Sequence, residues 1–287
     1  MKHYFILTIC AIVAGITLGC KGPNEEHQAR ERVDAAREMV AEGNLEAAKV
    51  ELDSVHILYR QQVNVRREAK ALQDTITLLE AERTATYADS MLQILLPQVD
   101  PLLKQFRYEK DDKYEDHGQY VSRRLQTTSN TECCFIQAYV GDNRVTRVKS
   151  YYYGAAPLCQ TNCELCIMPA EDCNAWAGSE HHFGEAGSTK DGDGFHSILT
   201  MEDEPAIEML AFIAGNKDAR IRVRLQGTTA SGKQASPYVY FLSQNDKDAL
   251  AETLQLATLF HDINRLEEML NSSKKTVEKL QMRAIRD

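Results

Sequence analysis

The spacing of apolar residues changes period along the chain. Between Asn24 and Tyr59, Ala29, Val33, Ala36 and Val40 form one stripe and Leu45, Ala48, Leu52, Val55 and Tyr59 a second. Steps of three and four place each set on one face of a helix. Asn24, ahead of Glu25 and Glu26, is placed to cap the first helix, and Gly43-Asn44 to end it. The two helices are therefore predicted to fold back as a hairpin. A third stripe runs through Val65, Ala69, Leu72, Ile76 and Leu79, slips at Arg83, and resumes at Tyr87, Met91 and Leu95 before Pro97. Such a slip is the mark of a stutter in a heptad.

From about Phe106 the period falls to two. Gln119–Leu125, Cys133–Val140, Val145–Tyr153, His196–Met201, Ile221–Leu225 and Tyr238–Leu242 are predicted strands, with Gly141-Asp142-Asn143 as a hairpin turn. The alternation is cleanest where Ile221, Val223 and Leu225 face inward and Arg220, Arg222 and Arg224 outward. Pro205, followed by Ile207, Leu210 and Ala211, predicts a short helix closed by Gly215.

The helical period then returns. Ser243-Gln244-Asn245-Asp246 has the form of a capping box. After it Leu256, Ile263, Leu270, Val277 and Ala284 stand seven apart, with Leu259, Leu266, Ser273 and Leu280 between them. One long C-terminal helix follows, either packed on the N-terminal helices or self-associated as a coiled coil.

The predicted class is α+β. An N-terminal helical hairpin and long helices, including the C-terminal one, flank a mostly antiparallel β-sheet domain. The segments are 1–19 as a leader, 20–105 helical, 106–243 β-rich, and 244–287 the last helix. Gly43-Asn44-Leu45-Glu46-Ala47-Ala48, with Leu52 and Val55, resembles the middle of a tetratricopeptide repeat. There the glycine opens the inter-helix turn and the alanine lets the helices approach. No second copy follows 34 residues later, so the hairpin is expected to pack on other helices.

Lys2 and His3, the apolar run Tyr4–Leu18 and the small residue Gly19 have the three-part layout of a secretion signal. The run is shorter than the roughly 20 residues a spanning helix needs. Thr17-Leu18-Gly19-Cys20 resembles the lipobox of bacterial lipoproteins. The resemblance implies that the Cys20 thiol receives diacylglycerol, becomes the new N-terminus, carries palmitate-type acyl chains, and anchors the chain in the cell envelope, on the outer membrane. Without the resemblance, Thr17 and Gly19 are the small residues of an ordinary cleavage site, and the product carries no lipid.

Net charge and cysteines narrow the function further. A net charge of -9 with a pI near 5.5 argues against a nucleic-acid partner, which needs concentrated Lys and Arg. Beyond Cys10 and Cys20 the cysteines are Cys133, Cys134, Cys159, Cys163, Cys166 and Cys173. In an oxidising compartment an even number implies disulfides. Cys133 and Cys134, adjacent on a strand, point to opposite faces and are expected to reach separate partners in the Cys159–Cys173 loop. Cys159, Cys163, Cys166 and Cys173, with His181 and His182 close behind, are alternatively a tetrahedral zinc set. Cys159-x3-Cys163-x2-Cys166 resembles the cluster loop of radical S-adenosylmethionine enzymes, but Leu165 stands where that family has an aromatic residue and the alternating α/β context is missing.

Other motifs reduce to structure. Asp191-Gly192-Asp193-Gly194 has calcium-like carboxylates, yet Thr189 and Thr200 occupy the end positions of an EF-hand loop, so a hairpin turn is expected. Tyr139, Tyr151, Tyr152, Tyr153, Trp176, Tyr238 and Tyr240 are expected in the core and at sheet edges rather than as a sugar platform. No nucleophile elbow, zinc-protease pair or phosphate loop occurs. The reading is a lipid-anchored, extracytoplasmic structural or binding protein without a cofactor, meeting a protein or a glycan. An exported hydrolase with unrecognised catalytic residues and a zinc module on the cysteine loop are the alternatives.

Overall fold

The computed structural model describes residues 24–111, 113, 116–125, 132–169, 172–178 and 188–286. The leader, Cys20, His181 and His182 lie outside the described residues. The chain is mixed α+β with mostly antiparallel sheet and a long C-terminal helix. It divides into two units, one of residues up to Ala88 together with those from Met269 onward, the other Asp89–Glu268. No described helix is long and apolar enough to cross a membrane.

In the first unit α1 (Asn24–Ala41), α2 (Leu45–Leu58) and the first part of α3 (Val63–Leu95) share one apolar cluster. Ala29, Val33 and Ala36 meet Leu45, Ala48, Leu52, Val55, Val65, Ala69 and Ile76, all buried. The alanines leave room for close helix approach. Gly43 takes a left-handed φ of 83°. Its N–H bonds Val40 O at 3.0 Å while that of Asn44 bonds Met39 O at 2.8 Å, closing α1 with a Schellman turn. Arg83 does not interrupt α3.

After the 3₁₀ turn Leu96–Gln98 and α4 (Val99–Leu103), the second unit builds two antiparallel sheets. β1 (Phe106–Glu109), β2 (Gln119–Ser122), β3 (Phe135–Gly141), β4 (Thr146–Gly154), β8 (Gly194–Glu202) and β7 (Thr189–Asp191) pair in that order. The second sheet runs β10 (Tyr238–Phe241), β9 (Arg220–Thr228), β5 (Cys159–Met168), β6 (Asp172–Ala177). All six predicted strands are present. The segment expected to be a cysteine loop is instead the β5–β6 hairpin. Its inward residues are cysteine, leucine and tryptophan among polar neighbours, so it lacks the β-branched run by which strands are recognised.

One core joins the sheets and α5 (Glu204–Gly215). Ile136, Val148, Leu199 and Met201 come from the larger sheet, Leu165, Ile221, Val223 and Leu225 from the smaller, and Met209, Leu210 and Ile213 from α5. Gln160 crosses between the sheets: its Nε2 donates to Ser197 O at 2.9 Å and Ser150 O at 3.0 Å, and its Oε1 accepts from Ser150 Oγ at 2.9 Å. Buried amide hydrogen bonds of this kind hold a register only when they are satisfied, as these are.

α6 (Gln244–Arg286) opens on the predicted capping box. Ser243 Oγ accepts the Asp246 N–H, and Asp246 Oδ2 accepts the Ser243 N–H, each at 3.1 Å. Leu256, Leu259, Ile263 and Leu266 are buried, whereas Ala284 near the end of the stripe is exposed. In the first unit the end of α6 reaches α3 where Arg283 Nη1 lies 3.2 Å from Asp74 Oδ2. In the second, Ala249 packs with Val121, Leu125 and Tyr139 on the face of the larger sheet away from the shared core.

The β3–β4 turn adds a clamp. Arg144 holds φ at 65°, costly for a side chain of its size. Its guanidinium bonds Asn264 and, at 2.7 Å, Glu267 of α6. In the same turn Asp142 accepts the Gly118 N–H at 3.0 Å and the Tyr108 hydroxyl at 2.8 Å, with His117 Nδ1 at 3.0 Å. The Gly118 N–H, then the tyrosine and the histidine, hold this carboxyl below its ordinary range.

A β-carbon at Gly227 on β9 would stand 1.9 Å from Cys159 O, a backbone atom beside the β5 bulge. Gly227→Ala is expected to lower unfolding stability by about 1–3 kcal/mol in a denaturant titration, and an unchanged midpoint would contradict the close approach. Because Asp142 is held below its unfolded value, its stabilisation is present above the unfolded pKa and lost as pH falls through the folded one. Asp142→Asn should flatten that acid limb in thermal unfolding followed against pH; an unaltered limb would mean the carboxylate stabilises nothing.

Candidate functional site

Period two divides β5 and β9 into two chemistries. Cys163 and Leu165 of β5, with Val223 and Leu225 of β9, lie in the shared core. The residues between them must face the other way. That outer face carries Arg220, Arg222, Arg224 and Gln226 from β9, Glu164 and Cys166 from β5, Cys173 and Ala175 from β6, and Val239 and Phe241 from β10.

The register orders these side chains in rows. Val239, Arg224, Glu164 and Ala175 form one, and Phe241, Arg222, Cys166 and Cys173 the next. Leu242 N–H bonds Ile221 O at 3.1 Å, which makes that pair hydrogen-bonded. Phe241–Arg222 and Val239–Arg224 are then non-hydrogen-bonded pairs, whose side chains stand closest. Continued across the sheet, the same alternation makes Cys166–Cys173 non-hydrogen-bonded too. Their Cα atoms are 4.1 Å apart and their sulfurs are joined in a disulfide.

Charge on the face is predominantly positive. Glu164 Oε1 lies 3.4 Å from Arg224 Nη1, and its Oε2 accepts from Gln226 Nε2 at 3.2 Å. The Arg220 guanidinium sits 3.9 Å from the centroid of the Phe241 ring. Among the described residues, Arg220 and Arg224 share this face with the Glu164 carboxylate on a protein of net charge -9. Val239 is 47 % and Phe241 41 % exposed, so apolar surface is shared with the arginines on this face. Cationic and aromatic, the arrangement suits recognition, and among the described residues it offers no positioned nucleophile or base.

The predicted cysteine sites separate. Cys166 and Cys173 are bridged; Cys133, Cys134, Cys159 and Cys163 are thiols. Cys134 does not reach the β5–β6 hairpin as a disulfide partner, because its sulfur is held at the β4 backbone by Tyr153 N and O, each at 3.3 Å. Cys133 is exposed and Cys159 half-buried. A zinc ion cannot take sulfur from all of Cys159, Cys163, Cys166 and Cys173. Cys163 points into the core and Cys166 out of it, and Cys159 lies seven residues, roughly 23 Å, up the strand from Cys166. Glu164, Cys166 and Cys173 do cluster, but their sulfurs are committed to each other. Burial pushes the Cys163 thiol up to about 12, so it remains protonated.

The aromatic residues are divided as well. Tyr152 and Trp176 belong to the shared core, while Phe135 and Tyr151 stack at 4.3 Å on the opposite face of the larger sheet. The Gly192-Asp193 pair is the two-residue turn between β7 and β8, with Gly192 at φ 57°. An open cleft of about 340 Å³ is lined by Gln105, Arg123, Arg124 and Glu252. Its carboxylate is already engaged by Arg124 and by Ser122 Oγ at 2.8 Å.

Sequence reasoning found the arginine ladder and missed what surrounds it. Glu164 was hidden in a segment read for its cysteines, and the disulfide follows only from the β5–β6 register. A cysteine pair seven apart around Pro169 is the signal that could have revealed that hairpin. Compared with family models, curated proteins and solved structures, the chain matches none.

The bridge lies across two strands joined by a short turn. Removing it with Cys166→Ser and Cys173→Ser together should cost about 2–3 kcal/mol of unfolding stability. The double variant should then be insensitive to added dithiothreitol, whereas the parent loses the same amount on reduction. Equal stability of parent and variant would contradict a stabilising bridge.

Proposed function

We propose that this chain is an exported bacterial lipoprotein, held on the outer membrane by acyl chains on Cys20, that acts by binding rather than by catalysis. The cationic start, apolar run and Gly19-Cys20 junction support the address. Attachment in this reading rests on two or more acyl chains, which hold where a single one is marginal. A disulfide on a strand pair is in keeping with an oxidising compartment.

One observation carries the binding role: the outer face of the smaller sheet, where Arg220, Arg222, Arg224, Val239 and Phe241 stand together beside a disulfide-tied hairpin. Rigid strands with exposed arginine and aromatic groups are the composition of protein-recognition surfaces. The α1–α2 hairpin, tetratricopeptide-like in its glycine turn and alanine contact, serves as scaffold in this reading.

Expression in a bacterial host supplied with radiolabelled palmitate tests the address. The parent should carry label and remain with the membrane fraction after salt washing. Cys20→Ser should lose both, and a parent without label would overturn lipid anchoring.

A further inference from the structure

The outer face of the smaller sheet ends at an open backbone edge. β10 pairs with β9 alone in that sheet. Since Leu242 N–H bonds Ile221 O, Tyr238 and Tyr240 use their backbone groups toward β9. The N–H and C=O of Val239 and Phe241 then point away from the sheet. Among the described residues, no further backbone bond is made by either. An uncovered strand edge is a template for another strand.

Its neighbours give the edge a preference. The non-hydrogen-bonded pairs Val239–Arg224 and Phe241–Arg222 place guanidiniums one strand in from the opening, and Arg220 is held over the Phe241 ring. A strand added beside β10 would set alternate side chains on this same outer face. Acidic side chains there meet arginine; basic ones meet like charge. A second copy of this chain pairing through its own β10 would leave the two β9 arginine rows three strand spacings, roughly 14 Å, apart and bring no carboxylate from its β10 to either.

We propose that β10 accepts an extended acidic segment of a partner protein as a fifth, antiparallel or parallel strand. Val239 and Phe241 supply the main-chain hydrogen bonds, and Arg220 and Arg224 select glutamate or aspartate at alternate positions. The inference deepens the binding role proposed for this face and rests on it. Pro237 immediately before β10 and the start of α6 after Ser243 limit the new pairing to a short stretch. Side-chain charge therefore supplies much of the selectivity.

Panning a displayed library of random eight-residue peptides on the full chain, purified in detergent, tests both parts. Val239→Pro removes an N–H that the fold does not use and blocks the edge, so it leaves the β10–β9 bonds in place. Arg220→Ala with Arg224→Ala removes charge and leaves the edge open. Circular dichroism and unfolding midpoints of both variants establish that each is folded. On the parent, sequences with Glu or Asp at alternate positions should be enriched, and their recovery should fall at least tenfold on either variant. Peptides kept by Val239→Pro but lost on the arginine variant would overturn strand addition and leave the face as a binding surface. No enrichment, or peptides retained by both variants, would overturn strand addition and the binding role of the face together. Enriched basic peptides would refute the acidic preference.

Discussion

The sheet unit depends on the period-two geometry of β5 and β9 beneath a shared core. Every second residue of these strands is taken by the core, where Leu165, Ile221, Val223 and Leu225 are wholly buried. A slip of one residue would bury arginines and expose leucine and valine, at a cost of several kcal/mol per side chain. Register is therefore strongly fixed. Arg220, Arg222 and Arg224 must stand on the outside, and Cys166 must face Cys173 rather than Cys163. The satisfied Gln160 amide and the close contact of Gly227 with β5 fix the same register by other means.

Long helices with capping chemistry are legible in the sequence. Ser243 and Asp246 form the reciprocal cap that their order implies, and Gly43 takes the left-handed turn that only glycine adopts at little cost. Alternation likewise marked six strands. β5 and β6 escaped because their inward residues are cysteine and tryptophan beside polar groups, and cysteine in that density invites a reading as chemistry. In β5, Cys163 behaves as a small buried hydrophobe. β7, at three residues, is too short for a period to emerge. The candidate face was half legible: its arginines and aromatic edge lie on consecutive strands, whereas Glu164 arrives from a strand 60 residues before Arg224.

The proposed binding face is separate from the interactions that stabilise the fold. Apolar burial and polar staples occupy the interior, and the outer face of the smaller sheet is left with charge, exposed aromatic surface and an open edge. Arg144 illustrates the other use of arginine. It accepts an unfavourable backbone so that its guanidinium can tie the β3–β4 turn to Glu267. On β9, by contrast, Arg220 and Arg224 lie against a ring and a single carboxylate.

Peptide mapping without reductant tests this division of β5 most directly. Native protein is treated with a thiol-alkylating reagent, unfolded, treated with a second, and digested. The register requires one cross-linked peptide joining Cys166 to Cys173, with Cys163 modified only by the second reagent. A bridge from Cys163 to any other cysteine, or its modification in the folded protein, would contradict the inward placement on which the outer face depends.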